Sequence, residues 1–155
     1  MSESGGSGAG PETRPATVGP SGGSETRSPA FPFVLVDRVL AAVPFERAVG
    51  LRNVTANDPL LARGGGDVAS MRRGLLIEAF AQLAGAALSG DGLRPAAVDV
   101  SRIGSMRFLR SPVPGDQLVL TVELSRGGQD RAKAACKAEI SGELVAEGEL
   151  EFAAP

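Results

Sequence analysis

Residues 74 to 88 read Gly-Leu-Leu-Ile-Glu-Ala-Phe-Ala-Gln-Leu-Ala-Gly-Ala-Ala-Leu, a helix-length run in which only Glu78 and Gln82 carry polar side chains. A helix that is apolar on nearly every side cannot lie on a protein surface, so other elements must cover it. The run is about 15 residues, short of the roughly 20 that a membrane span needs, so the cover must be protein. A carboxylate in such a run is costly to bury unless something compensates it. Glu78 is therefore expected to be either paired structurally or kept for chemistry.

The segments around this helix read as strands. Val34, Val36, Arg38 and Leu40 alternate with Leu35, Asp37 and Val39 within 31–44, and 48–55 forms a second strand that ends at the Asn57-Asp58-Pro59 turn. Arg63 and the glycines 64 to 66 make a loop before the helix, and Ser89-Gly90-Asp91-Gly92 supplies its stop. Residues 96–110 predict one long strand, bulged at Gly104. Leu118, Leu120, Val122 and Leu124 share one face of the next strand. After Gly127-Gly128, Ala132, Ala134, Cys136, Ala138 and Ile140 face one way. Beyond the Ser141-Gly142 turn, Leu144, Ala146, Gly148, Leu150 and Phe152 oppose four glutamates. Three such strands in a row predict an antiparallel meander with one solvated side. The sheet is the surface large enough to cover the helix. The predicted class is α+β: a curved antiparallel sheet wrapped around one central helix, the hot-dog fold. A helix this apolar in so short a chain also calls for a partner subunit.

Composition narrows the function. The chain has no histidine, so a mechanism that needs imidazole must take it from another molecule. With no His and one Cys, no metal site is expected. A net charge of −2, no Trp, no Tyr and six Phe give neither attraction to nucleic acid nor stacking platforms for bases. The lone Cys136 excludes an internal disulfide and suits a reducing cytoplasm. Residues 1–30 are dominated by Gly, Ser, Pro, Thr and Glu and cannot offset ordering entropy, so a disordered tail is expected ahead of a single domain at 31–155. The tail lacks the apolar stretch of a secretory signal, and Glu3, Glu12 and Glu25 argue against a transit peptide.

Four segments in order resemble the FabZ-type 3-hydroxyacyl-carrier-protein dehydratases: residues 32–40, Asn53-Val54-Thr55-Ala56-Asn57-Asp58-Pro59, Leu76-Ile77-Glu78-Ala79-Phe80-Ala81-Gln82, and residues 107–118. The resemblance spans 31–152 and implies the hot-dog fold, no cofactor, and a substrate carried on the phosphopantetheine arm of an acyl carrier protein. It also implies an active site built across a dimer. There a histidine of one subunit removes the α-proton, an acid on the other's central helix assists the departing β-hydroxyl, and backbone amides near the helix start polarise the thioester carbonyl. Glu78 matches the acid, and Gln82 one turn on is its supporting hydrogen bonder. The pattern departs at the base. Aligned from Asn57 to Glu78, Gly64 takes the histidine's position, Gly65 and Gly66 replace a Phe-Pro pair, and Arg72-Arg73 replace a Pro-Gly step.

Arg72, Arg73, Arg107 and Arg110 are candidates for gripping the phosphopantetheine phosphate or an acidic carrier, since residues 94–115 hold four Arg against one acid, Asp99. Their other reading is an ordinary solvated face. The expected function is a dehydratase-like subunit in fatty-acid or polyketide assembly, paired with a histidine-bearing homologue in a heterodimer and very weak alone. Two alternatives stay open: an acyl thioesterase using Glu78, and a non-catalytic subunit that binds acyl chain or carrier.

Overall fold

The computed structural model describes residues 34–62, 68–89, 98–128 and 131–153. The tail expected at residues 1–30, the glycine loop with Gly64, and the Gly90-Asp91-Gly92 stop lie outside the described residues. Among the described residues, eight strands and one helix follow in chain order: β1 (Arg38–Val43), β2 (Arg47–Asn53), β3 (Leu61–Ala62), β4 (Ser70–Met71), α1 (Arg73–Leu88), β5 (Val100–Phe108), β6 (Gln117–Arg126), β7 (Arg131–Ile140) and β8 (Glu143–Ala153). Six strands form one antiparallel sheet in the order β1-β2-β6-β7-β8-β5. The helix packs on β6 and β2 and less on β1. This is the hot-dog arrangement that the sequence predicts.

The meander follows the period-two pattern. Leu118, Leu120 and Val122 on β6, which packs on the helix, and Ala134 and Ala138 on β7 are fully buried. Each buried Leu or Val contributes roughly 1.5–3 kcal/mol. The β7–β8 turn has positive φ at both central residues, Ser141 (51°) and Gly142 (80°). That is the type I′ geometry whose twist matches a two-residue hairpin.

The structure departs from the sequence reading in several places. On β8, Ala146 pairs with Ala138 and Leu144 with Glu139, so Val145 is an extra residue in a bulge. Val145 is consequently buried and Leu144 only half-buried, reversing the strict alternation there. The first strand begins at Arg38, and Leu35 and Val36 are buried without strand structure. The short β3–β4 pair leaves no mark in the sequence pattern, because two-residue strands are too short to show a period.

Strand β5 is shorter than the predicted 96–110 but is bulged as expected. Ile103 pairs with Leu150 and Met106 with Gly148, which sets Gly104 and Ser105 together against Glu149. A Cβ on Gly148 would run into Met106 and the Ser105 carbonyl, so the bulge requires glycine across from it.

Candidate functional site

Helix α1 sets Glu78 and Gln82 one turn apart on one face. Glu78 is exposed in the single chain, contrary to the expectation of a buried carboxylate. The cause is the reach of the sheet. Arg72, Arg73 and Gly74 are exposed and Leu75 and Ile77 half-buried, whereas the continuous buried run starts at Ala79 and continues to Ala87. One chain covers the C-terminal part of the helix and leaves its first turns open.

Gln82 stands at that boundary, 9% exposed. Its Oε1 accepts the backbone N–H of buried Leu35 at 2.8 Å, and its Nε2 donates to Glu78 Oε1 at 3.0 Å. An N–H donor at Leu35 demands the amide oxygen, so the NH₂ turns toward the carboxylate. The helix thus presents an accessible acid whose position is set by an amide that is itself anchored in the core.

The helix start is electropositive. Among the described residues no side chain caps it, no acidic residue occupies the first turn, and its N-cap position is Arg72. Unpaired N–H groups and the macrodipole at such an end favour negative charge. Arg73 places its guanidinium 5.6 Å from the centroid of the Phe108 ring. The Met71 N–H donates to the Pro112 carbonyl at 2.8 Å, which brings Arg72 beside the 108–112 segment. Val68 and Leu109, both more than half exposed, lie on the same two segments.

The other two predicted arginines are engaged within the chain. Arg110 forms a two-pronged pair with Asp116 at 2.9 and 3.4 Å, and Asp116 also accepts the Val113 N–H at 2.8 Å. The Arg110 hydrogen bond holds the Asp116 carboxyl below the usual carboxylate range. Arg107 pairs with Glu147 on the outer face of the sheet, away from the helix. There it lines a groove of about 710 Å³ with Arg47, Thr121, Lys137 and Glu149. Alternation along β5 puts Arg107 and Phe108 on opposite faces, so Arg107 does not join Arg73.

Gly64 lies outside the described residues. The described residues on either side of it, Leu61–Ala62 and Ser70–Met71, pair antiparallel close to the helix start at Arg73. Cys136 is buried, as its place among alanines predicts. Burial, with a smaller contribution from Glu149, pushes its thiol up to about 12, which leaves it without thiolate chemistry.

Two supports of the site escaped the sequence reading. One is the Leu35 N–H, a backbone group 47 residues from its partner Gln82. The other is Arg52, which joins Asp37 at 3.1 Å and also contacts Asp58, tying the end of β2 to the turn that leads toward residue 64. No local periodicity signals either contact.

No family model matches the sequence. Among curated proteins, the chain is 36% identical over 124 residues to the 3-hydroxyacyl-(acyl-carrier-protein) dehydratase FabZ of Listeria monocytogenes serotype 4b, covering 79% of this chain and 86% of that protein. Among solved structures, the dehydratase heterocomplex ApeI:P from Xenorhabdus doucetiae aligns with a TM-score of 0.57 at 18% identity, over 79% of this chain and 84% of that one. The E. coli PaaI protein of the phenylacetic acid degradation operon aligns at 0.55 and 22%, over 74% and 80%. Zebra fish thioesterase superfamily member 2 aligns at 0.56 and 17%, over 76% and 80%. The structural likenesses agree on the fold, and the sequence likeness covers the helix with its acid and the late segment that ends at Leu118. This histidine-free chain belongs to the FabZ family of 3-hydroxyacyl-carrier-protein dehydratases.

Proposed function

We propose that this chain is the acid-bearing half of a two-subunit dehydratase that acts on 3-hydroxyacyl thioesters of an acyl carrier protein in the cytoplasm, in fatty-acid or polyketide assembly. One observation carries the reading. Glu78 is accessible and held at 3.0 Å by the anchored Gln82, in a chain that contains no histidine. An oriented acid beside half-buried Leu75 and Ile77 is what a site completed by a second subunit presents. The relative ApeI:P is itself a dehydratase heterocomplex, which supports mixed pairing.

In this reading the partner's imidazole removes the α-proton. The electron pair left behind forms the Cα–Cβ double bond, and Glu78 protonates the departing β-hydroxyl, which leaves as water. The uncapped N–H groups at the start of α1 polarise the thioester carbonyl. Arg72 and Arg73, beside the exposed Val68 and Leu109, receive the phosphopantetheine phosphate or the acidic carrier surface. Arg107 and Arg110, held in ion pairs within the chain, are better placed to extend that field than to grip directly.

The test is co-expression with a histidine-bearing homologue from the same gene neighbourhood, with loss of water from a 3-hydroxyacyl carrier followed by mass spectrometry. The pair is expected to dehydrate, and Glu78→Gln to lower its kcat by about 10²–10⁴-fold, the usual worth of one proton-transfer group. An undiminished rate in the Gln variant would falsify the composite site. Because Glu78 is accessible without a partner, thioester hydrolysis is the second reading. It predicts hydrolysis by the purified chain alone, lost in the same variant.

A further inference from the structure

We propose that β5 is a charge-selective edge, which pairs with a subunit whose own edge strand carries carboxylates on its outer face and disfavours a second copy of this chain. This names the chemistry of the partner in the reading above and rests on that reading for the partner's catalytic role.

Strand β5 ends the six-stranded sheet, and among the described residues no strand lies on its far side. Its inner row, Val100, Ile103, Met106 and Phe108, is apolar but only partly covered, with Ile103 still 51% exposed. An apolar row beside a free line of backbone donors and acceptors is a template for another strand. The outer row decides which strand fits. It carries Arg102 (70% exposed) and Arg107 (64% exposed), and β5 contains no acidic residue.

The neighbouring carboxylates do not neutralise this edge. Glu147 faces Arg107, but Glu151 is shared among Arg102, Arg131 and Lys133 at 3.9, 3.8 and 3.1 Å. Glu149, opposite the Gly104–Ser105 bulge, is a third carboxylate on this face, but all three stand on β8, one strand in, so the outermost charges at the edge are Arg102 and Arg107.

Self-pairing makes this worse. The two-fold antiparallel register that overlaps Ser101 to Phe108 and sets the apolar Ile103 of one copy against Met106 of the other is centred on the Gly104–Ser105 bulge. It therefore sets Arg102 against Arg107 twice. Like charges directly opposite across strands are destabilising, and opposite charges there are stabilising. A partner with the same apolar inner row and acids at the outer positions turns both repulsions into attractions.

Analytical ultracentrifugation of the full chain tests this without any partner or activity. Wild type is expected to self-associate weakly, and more tightly as salt screens the arginines. Arg102→Gln with Arg107→Gln is expected to self-associate about tenfold more tightly, the scale of two like-charge cross-strand pairs. A mixture of wild type with the Arg102→Glu, Arg107→Glu double variant is expected to form mixed dimers in preference to either self-dimer, and these weaken with salt. Should the Glu variant fail to fold by circular dichroism, the Gln comparison decides alone. A wild-type dimer as tight as the Gln variant's and indifferent to salt overturns the proposal. That result leaves the composite site standing, because the composite site depends on Glu78 chemistry in the mixed complex.

Discussion

Gln82 is the residue on which the site's geometry turns. It accepts the N–H of Leu35 in the core and passes order to Glu78 at the surface. Gln82→Met keeps the volume and the apolar stem but leaves the Leu35 N–H buried without its acceptor, which costs about 1–3 kcal/mol. Urea unfolding is expected to show a lower midpoint with an unchanged slope, and the mixed enzyme to lose less rate than with Glu78→Gln. Asp116 gives the pH dependence. Its carboxyl is held below the ordinary value by Arg110, so its contribution to stability is present above the unfolded pKa of about 4. That contribution is lost as pH falls through the depressed folded value. Asp116→Asn is therefore expected to flatten the acid limb of a stability-versus-pH curve below about pH 4 while leaving the rest of its shape unchanged. The acid at 78 was legible because a carboxylate in an apolar run stands out. The anchor on Gln82 was not, because a backbone N–H has no letter of its own.

At the scale of elements, hydrophobic period predicted the helix and the meander, since burial of one face leaves its mark every second or every third to fourth residue. Bulges break that rule, as Val145 and the Gly104–Ser105 pair show. The glycine at 148 is the visible trace of the second bulge. Gly148→Ala forces a Cβ into Met106 and the Ser105 carbonyl, where backbone cannot give way as a side-chain tip can. Overpacking of this kind costs about 1–3 kcal/mol or more. Thermal unfolding is expected to show the loss, and hydrogen exchange to show it concentrated in β5, the strand displaced by the new methyl. Gly50→Ala, whose Cβ would meet Val36 Cγ1 at 2.8 Å, Leu83 Cδ1 at 3.1 Å and the Arg38 carbonyl at 3.3 Å, is expected to cost less, because no backbone atom stands as close there as the Ser105 carbonyl does at Gly148.

For the whole molecule, the decisive property is incompleteness. Among the described residues, the sheet covers the helix continuously from Ala79 to Ala87 and leaves the helix start, the acid and the β5 edge open. The chain purified alone is therefore expected to dehydrate 3-hydroxyacyl carriers at least about 10²-fold more slowly than the mixed complex, since one proton-transfer group is missing. An activity assay of each subunit and of the pair checks this. The amino-acid order alone determined the fold class, the meander, the helix and its acid, and the absence of any imidazole, because patterning and composition are local or global properties that need no coordinates. Only the tertiary structure decided that Glu78 is accessible rather than sunk, that Arg107 faces away from Arg73, and that β5 is a positive free edge. Those properties depend on how far a sheet reaches and which faces meet, and residues as distant in the chain as Arg47 and Glu123, paired across β2 and β6, set them together.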